Sequence, residues 1–137
     1  MSSTGYSGTP LIKKLGLTEG MRVLFLYAPQ HYESLLGGLP EGIRRVKQLR
    51  GILDFVHLFV SRRQVLEEEI HRCLAHLAPD GMIWISWPKK ASKVETDITE
   101  DVIREVILPL GLVDVKVCAV DEVWSGLKLV IRKELRK

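Results

Sequence analysis

The sequence predicts an α/β fold, a mostly parallel sheet with helices on its faces and an antiparallel strand at the C-terminal end. Three observations predict it. Continuous apolar runs of strand length recur at residues 23–28 (VLFLYA), 54–60 (DFVHLFV) and 82–87 (MIWISW). Runs of this kind mark strands buried on both faces. Amphipathic helical patterns follow the second and third of them, which makes parallel β-α-β units. Two more strands close the chain, and the loop between them is too short for a helix, so they pair antiparallel.

In chain order, residues 11–17 form a short apolar stretch bracketed by Gly8, Pro10 and Gly16, one or two helical turns long. Residues 1–5 are expected to be loosely held, whereas residues 5–11, with Tyr6, Pro10 and Leu11, are expected to pack. The strand at 23–28 is followed by a short helix at 31–36, stopped by Gly37, Gly38 and Pro40. Residues 43–49 (IRRVKQL) make a weak strand, and their interleaved cations suit a sheet edge. The strand at 54–60 runs into a helix that Ser61 caps, with Gln64 completing a capping box. Leu66, Ile70, Cys73, Leu74 and Leu77 share one face of that helix, and Pro79-Asp80-Gly81 stops it. After the strand at 82–87 comes a polar loop, 88–97, then a helix capped by Thr99 or Asp97. Its inward residues are Val102, Ile103, Val106, Ile107 and Leu110. Pro109 disturbs its last turn, and Gly111 ends it. Residues 113–120 and 127–132 form the terminal ribbon.

The chain has 137 residues, the size of one domain, and a single domain spanning 1–137 is expected. A chain this long folds without disulfides or a metal. Hydrophobic residues make up 46% and charged residues 27%, an ordinary balance for a globule. The two cysteines, Cys73 and Cys118, have no CxxC spacing and read as buried thiols of a reducing compartment. No apolar leader or membrane-length run is visible, so a cytoplasmic protein with no membrane contact is expected. The net charge of +3 is a mild basic bias, compatible with anionic partners.

Two resemblances extend this reading. Residues 77–86 (LAPDGMIWIS) are similar to the helix-turn-strand segment before the fifth strand of class I methyltransferases. Residues 54–59 are similar to their fourth strand, and the terminal ribbon looks like their sixth and seventh. The resemblance implies a Rossmann-like, truncated methyltransferase-like fold. That family passes a G-x-G-x-G loop under S-adenosylmethionine, where side chains would block the close approach. The three glycine positions hold Tyr27, Pro29 and His31 here. An acid at the end of the second strand would bind the ribose, but Lys47, Gln48, Leu49 and Arg50 stand there. The spacing departs too, because the strand at 43–49 lies only a handful of residues from the next. A helical crossover takes about a dozen. The strand is therefore either a parallel edge strand followed by an extended strap or an antiparallel one.

The second resemblance rests on residues 5–11 (GYSGTPL), 87–94 (WPKKASKV), 97–105 (DITEDVIRE) and 113–127 (VDVKVCAVDEVWSGL). These resemble a bacterial family of small proteins of unknown function. The resemblance implies a bacterial cytosolic protein and carries over no catalytic residue and no cofactor.

Ligands of open α/β sheets sit beyond the carboxyl ends of the strands. The chemistry-bearing residues there include Tyr27, His31, Ser61, Asp121 and Glu122. Lys89, Lys90 and Lys93 form a dense cationic loop, and Arg62 follows a neighbouring strand. With Trp124 closing one side, these five residues are the candidate ligand site, for an anion near a helix N-terminus. The other reading of the lysines is solvated surface. Ser61 is expected to serve as a cap, Asp121 and Glu122 to form a turn or salt bridge, and His57 to be a satisfied core histidine. No metal-binding spacing is present. Arg44, Arg45, Lys47 and Arg50 could follow a phosphate backbone, yet no aromatic interleaving accompanies them. The sequence therefore favours a non-catalytic binding or regulatory module that does not take S-adenosylmethionine. An anionic small molecule or a protein is its expected partner. The alternatives are an enzyme acting on an anionic small molecule and a weak nucleic-acid binder.

Overall fold

The computed structural model describes residues 9–136. The expectations for residues 1–8 lie outside the described residues.

Helix α1 (Leu11–Leu15) precedes strand β1 (Arg22–Leu26), and helix α2 (Tyr32–Leu36) leads to the short strand β2 (Arg44–Val46). Strand β3 (Leu53–Phe59), helix α3 (Arg63–His76) and strand β4 (Leu77–Pro88) follow. Helix α4 (Glu100–Ile107), strand β5 (Leu112–Ala119) and strand β6 (Trp124–Ile131) complete the fold. The six strands form one sheet in the order β2-β1-β3-β4-β6-β5. The first four run parallel; β6 runs antiparallel to both β4 and β5.

The direction of β2, open from sequence, is parallel to β1, with Arg44 beside Arg22 and Val46 beside Leu24. Residues 47–52 then pass to β3 as a strap without a helix. The middle strands are buried along nearly their whole length, as their apolar runs require.

Two cores flank the sheet. One holds Leu11, Leu15, Val23, Phe25, Phe55 and Trp84 beneath α1 and α2. The indole of Trp84 donates to the carbonyl of Leu15 at 2.9 Å, which ties α1 down. The other core holds Leu24, Val56, Leu58, Ile83, Ile85 and Leu129 beneath α3 and α4, with Leu66, Ile70 and Ile103 from those helices.

Two local expectations are corrected. Pro79-Asp80-Gly81 does not separate a helix from a strand; it lies inside β4. Leu77 already pairs with Leu53, and the next pairing is Phe55 with Met82, so β4 bulges there. The excess residues carry exposed Pro79 and Asp80 outward. Ser61 does not cap α3 either. The Ncap position is Arg62, with no side-chain bond of its own, and the Asp97 carboxylate accepts from the Arg63 N–H at 2.7 Å. A charged acceptor reached through the fold replaces a local hydroxyl. Thr99 caps α4 as expected, accepting from the Val102 N–H at 3.1 Å. Leu108–Leu110 tightens into a 3-10 turn at Pro109, and Gly111 closes it in a left-handed conformation.

Candidate functional site

At the carboxyl end of β1 the backbone turns sharply. Tyr27 takes φ 58°, a left-handed conformation that glycine adopts freely and that costs other residues about 1–2 kcal/mol. Its side chain is 60% exposed at the surface, yet its hydroxyl is fixed. It donates to Glu69 Oε2 on α3 at 2.6 Å. Glu69 is nearly buried and also receives Arg72 at 2.9 Å. The hydrogen bond to Glu69, with burial second, raises the Tyr27 phenol above its usual range.

The rest of the turn is pinned as well. His31 Nε2 lies 2.8 Å from Asp121 Oδ2, tying the turn to the tip between β5 and β6. Asp121 also accepts from the N–H groups of Val123 and Trp124, at 2.8 and 2.7 Å. Burial works to raise its carboxyl, but the His31 and backbone bonds outweigh that and hold it below its usual value. The turn-forming and pairing role expected of Asp121 is the one seen.

Tyr32 enters the core beneath. Its hydroxyl lies 2.5 Å from His57 Nδ1, and His57 Nε2 lies 2.7 Å from Ser86 Oγ. His57 and Ser86 are fully buried, and Tyr32 is 1% exposed. Burial pushes the imidazole down to about 3, so the ring is neutral and donates on one side while accepting on the other. Serine, histidine and tyrosine in a line match the connectivity of a nucleophile, its base and an orienting group. No substrate could reach Ser86 Oγ in this burial. The three side chains satisfy one another inside an aromatic cluster, where the His57 ring stacks on Phe59 at 4.2 Å. His57 is thus the satisfied core histidine expected. Ser86 and Glu69 were not singled out by sequence reasoning. For Ser86 the available signal was one hydroxyl inside an otherwise apolar strand.

Two of the five candidate ligand residues, Lys90 and Arg62, line clefts, and they line different ones. Lys90 lines a cleft of about 570 Å³ with Trp87, Thr96, Thr99, Glu100 and Arg104. Arg62 lines two smaller ones, of about 270 Å³ with Ser61, Glu95 and Asp97 and about 300 Å³ with Tyr27, Phe59 and Val65. Lys89 is half-buried, and its N–H donates to the carbonyl of Val123 at 2.7 Å. Lys93 is exposed at φ 62°. Trp124 is half-buried and packs edge-on against Phe59 at 5.1 Å. The N-terminus of α3, expected to face an anion, faces the Asp97 carboxylate.

Among the described residues no cluster of metal-ligating side chains occurs and no helix is long and apolar enough to cross a membrane. Both cysteines are free; burial pushes the Cys73 thiol up to about 12.

No family model matches the chain, and no curated protein does. Solved structures do match. Fibrillarin from Aeropyrum pernix, in complex with S-adenosylmethionine, aligns over 92% of this chain and 70% of its own, with 15% identity and a TM-score of 0.59. Magnesium protoporphyrin IX methyltransferase from Synechocystis, with bound S-adenosylmethionine, aligns over 88% and 74%, with 12% identity and a TM-score of 0.59. The ribosomal protein L11 methylase of Lactobacillus delbrueckii aligns over 88% and 74%, with 12% identity and a TM-score of 0.55. The class these matches define is a fold: this chain has a Rossmann-like α/β fold similar to that of methyltransferases. The resemblance to a small bacterial family rests on the quoted segments alone.

Proposed function

We propose that this chain is a non-catalytic binding or regulatory module that does not take S-adenosylmethionine. The observation that carries the reading is Tyr27. The backbone keeps the left-handed turn that a glycine loop would make, and a full aromatic side chain stands on it, tied to Glu69. A cofactor that needs bare backbone beneath it meets the Tyr27 Cβ and ring instead. The residues after β2 are Lys47, which has no acceptor, and Gln48, which has one neutral acceptor oxygen, so neither offers the two charged oxygens that a carboxylate turns to a pair of hydroxyls. The side chains present therefore do not fit this cofactor. The hydroxyl, imidazole and carboxylate groups of His31, Tyr32, His57, Ser86 and Asp121 are spent on one another, which leaves no unengaged nucleophile-base pair among these residues. Free cysteines suit the reducing, cytoplasmic setting the composition suggests.

Calorimetry tests it. S-adenosylmethionine and S-adenosylhomocysteine, titrated into the protein, should give no binding isotherm at affinities of about 100 μM or tighter. Stoichiometric binding of either at micromolar affinity overturns the proposal.

A second reading, an anionic ligand at the loop of Lys89, Lys90 and Lys93 with Arg62 and Trp124, has one observation in its favour. None of those four cations makes a salt bridge among the described residues. Against it, Glu100 and Asp101 face the cleft that Lys90 lines and already bind Arg104 there. Replacing Lys89 and Lys90 by Ala and titrating phosphate, sulfate and nucleotides decides it. Stabilisation of the native chain alone supports the site; no response, or equal responses, removes it.

A further inference from the structure

Parallel strands bury both faces because the crossover between them lays a helix on the sheet. One crossover here lacks a helix. From β2 the chain reaches β3 by the strap of residues 47–52 and leaves the β1–β2 end of the α3 side only partly covered. Leu26, Val46, Leu49 and Val65 pack on the edge of the α3-side core and remain half-exposed. Ile52 on the strap is 61% exposed and Tyr27 60%. Helix α3 borders this strip with one flank, where Glu69 holds Tyr27 and His76 Nδ1 lies 2.8 Å from the carbonyl of Gly51. Its opposite flank is turned to α4, with Arg63 bound to Glu105.

The rim of the strip is predominantly cationic. Arg44, Lys47 and Arg50 are exposed and make no salt bridge among the described residues. Arg44 neighbours Arg22 on β1, and Val46 neighbours Leu24, so the cation and the apolar residue, two apart on β2, share the α3-side face. Arg72, 62% exposed, and Arg62 add charge on the helix side. Of the acids on that flank, Glu69 is already bound twice, and exposed Glu68 is outnumbered by the cations. A second copy of this chain would bring the same cations against these, which like-charge repulsion opposes.

We propose that this strip is a docking surface for an acidic amphipathic helix of a partner protein, which completes the face the strap leaves open. Apolar side chains of that helix meet Leu26, Val46, Leu49 and Ile52, and its carboxylates meet Arg44, Lys47, Arg50 and Arg72. The surface meets the pinned turn at Tyr27, but its contacts are made by β1, β2, the strap and α3, so a positive result with S-adenosylmethionine would overturn the earlier reading and leave this one standing.

The test uses two synthetic 18-residue helical peptides, with leucines on one face and either glutamates or lysines on the other. The glutamate peptide should shift the backbone amide resonances of Leu26, Val46, Leu49, Ile52 and Val65. Arg44→Glu with Lys47→Glu should weaken it at least tenfold, whereas the equal charge change Lys13→Glu with Lys133→Glu, away from the strip, should leave it within twofold. Ile52→Glu, at a solvent-facing side chain, should also weaken it without lowering stability. Shifts absent or elsewhere overturn the proposal, as does equal binding of the lysine peptide or equal weakening by both charge reversals. A concentration-dependent dimer that Ile52→Glu abolishes overturns it in favour of a second copy.

Discussion

His57 shows what one buried titratable residue does to the molecule. Its imidazole ionises near 3 in the folded chain and near 6.5 when exposed. Between those values the unfolded chain binds the extra proton, so stability is full above about 6.5 and falls as the pH drops toward 3. Urea unfolding between pH 6 and 4.5 should lose about 1.4 kcal/mol per pH unit on this account. His57→Gln, compared over the same range, should lack that slope although it starts less stable; an unchanged slope would assign the loss to other groups. Asp97 and Ser61 give a second contrast. Asp97 binds the Arg63 N–H, so Asp97→Ala should cost about 1 kcal/mol. Ser61→Ala should be nearly neutral, because only the Ser61 carbonyl is engaged, by Thr96 Oγ1 and the Asp97 N–H. Thermal unfolding of the two variants checks this, and a reversal of their order would restore the local capping box. A serine with glutamine three residues on is legible in any sequence. An aspartate far along the chain becomes the cap only when the loop before α4 returns across the end of α3. The same distance hid the Tyr32, His57 and Ser86 contacts: the mid-strand histidine was visible, its partners were not.

At the scale of elements, what was legible is what a strand or helix settles locally. The runs at β1, β3 and β4 announced buried strands, and the spacing of Leu66, Ile70 and Cys73 announced the inward face of α3, where all three are fully buried. Pro79-Asp80-Gly81 misled because turn-forming residues serve a bulge as well as a turn, and only the Leu53–Leu77 pairing distinguishes the two. The candidate lysines meet a related limit. Lys89, Lys90 and Lys93 fall within five residues, but a 3-10 turn at Lys90–Ser92 and a left-handed Lys93 set the course of the loop, which spacing alone does not announce. Gly126 tests how tightly the elements close. It sits in β6 opposite Ser86, and a Cβ there would stand 3.2 Å from the Trp84 ring and 3.3 Å from Val120. Trp84 is fully buried and held to Leu15, so the ring has nowhere to retreat. Gly126→Ala should therefore destabilise by about 1–3 kcal/mol, as overpacking does. A urea midpoint equal to that of the unaltered chain would mean that the ribbon slides to make room.

For the whole molecule, the decisive feature is where the last strand goes. β6 does not add to the outside of the sheet; it lies between β4 and β5 and pairs with both. The central strand β4 is thus flanked by β3 on one side and by a segment more than thirty residues later on the other. Pairings of such sequence separation carry the loop-closure cost before they return any burial. They also make the parallel half dependent on the ribbon. Leu112, Leu127 and Leu129 are fully buried in the α3-side core. Losing one buried leucine costs about 2–5 kcal/mol, against a total stability of about 5–15 kcal/mol for a domain. Removing residues 112–137 takes all three and strips the β4 edge of its partners. That chain should show no cooperative urea transition and no near-ultraviolet dichroism from Trp84, although helical dichroism from α3 can persist. Removing residues 133–137 alone is the control, since the side chains of Lys133, Glu134, Leu135 and Arg136 are exposed and β6 stays intact. A sigmoidal transition in the longer truncation, with a slope near that of the full chain, would show that β1, β3 and β4 fold without the ribbon. The sheet would then be two independent pieces, and the likeness to methyltransferases would reside in the first alone.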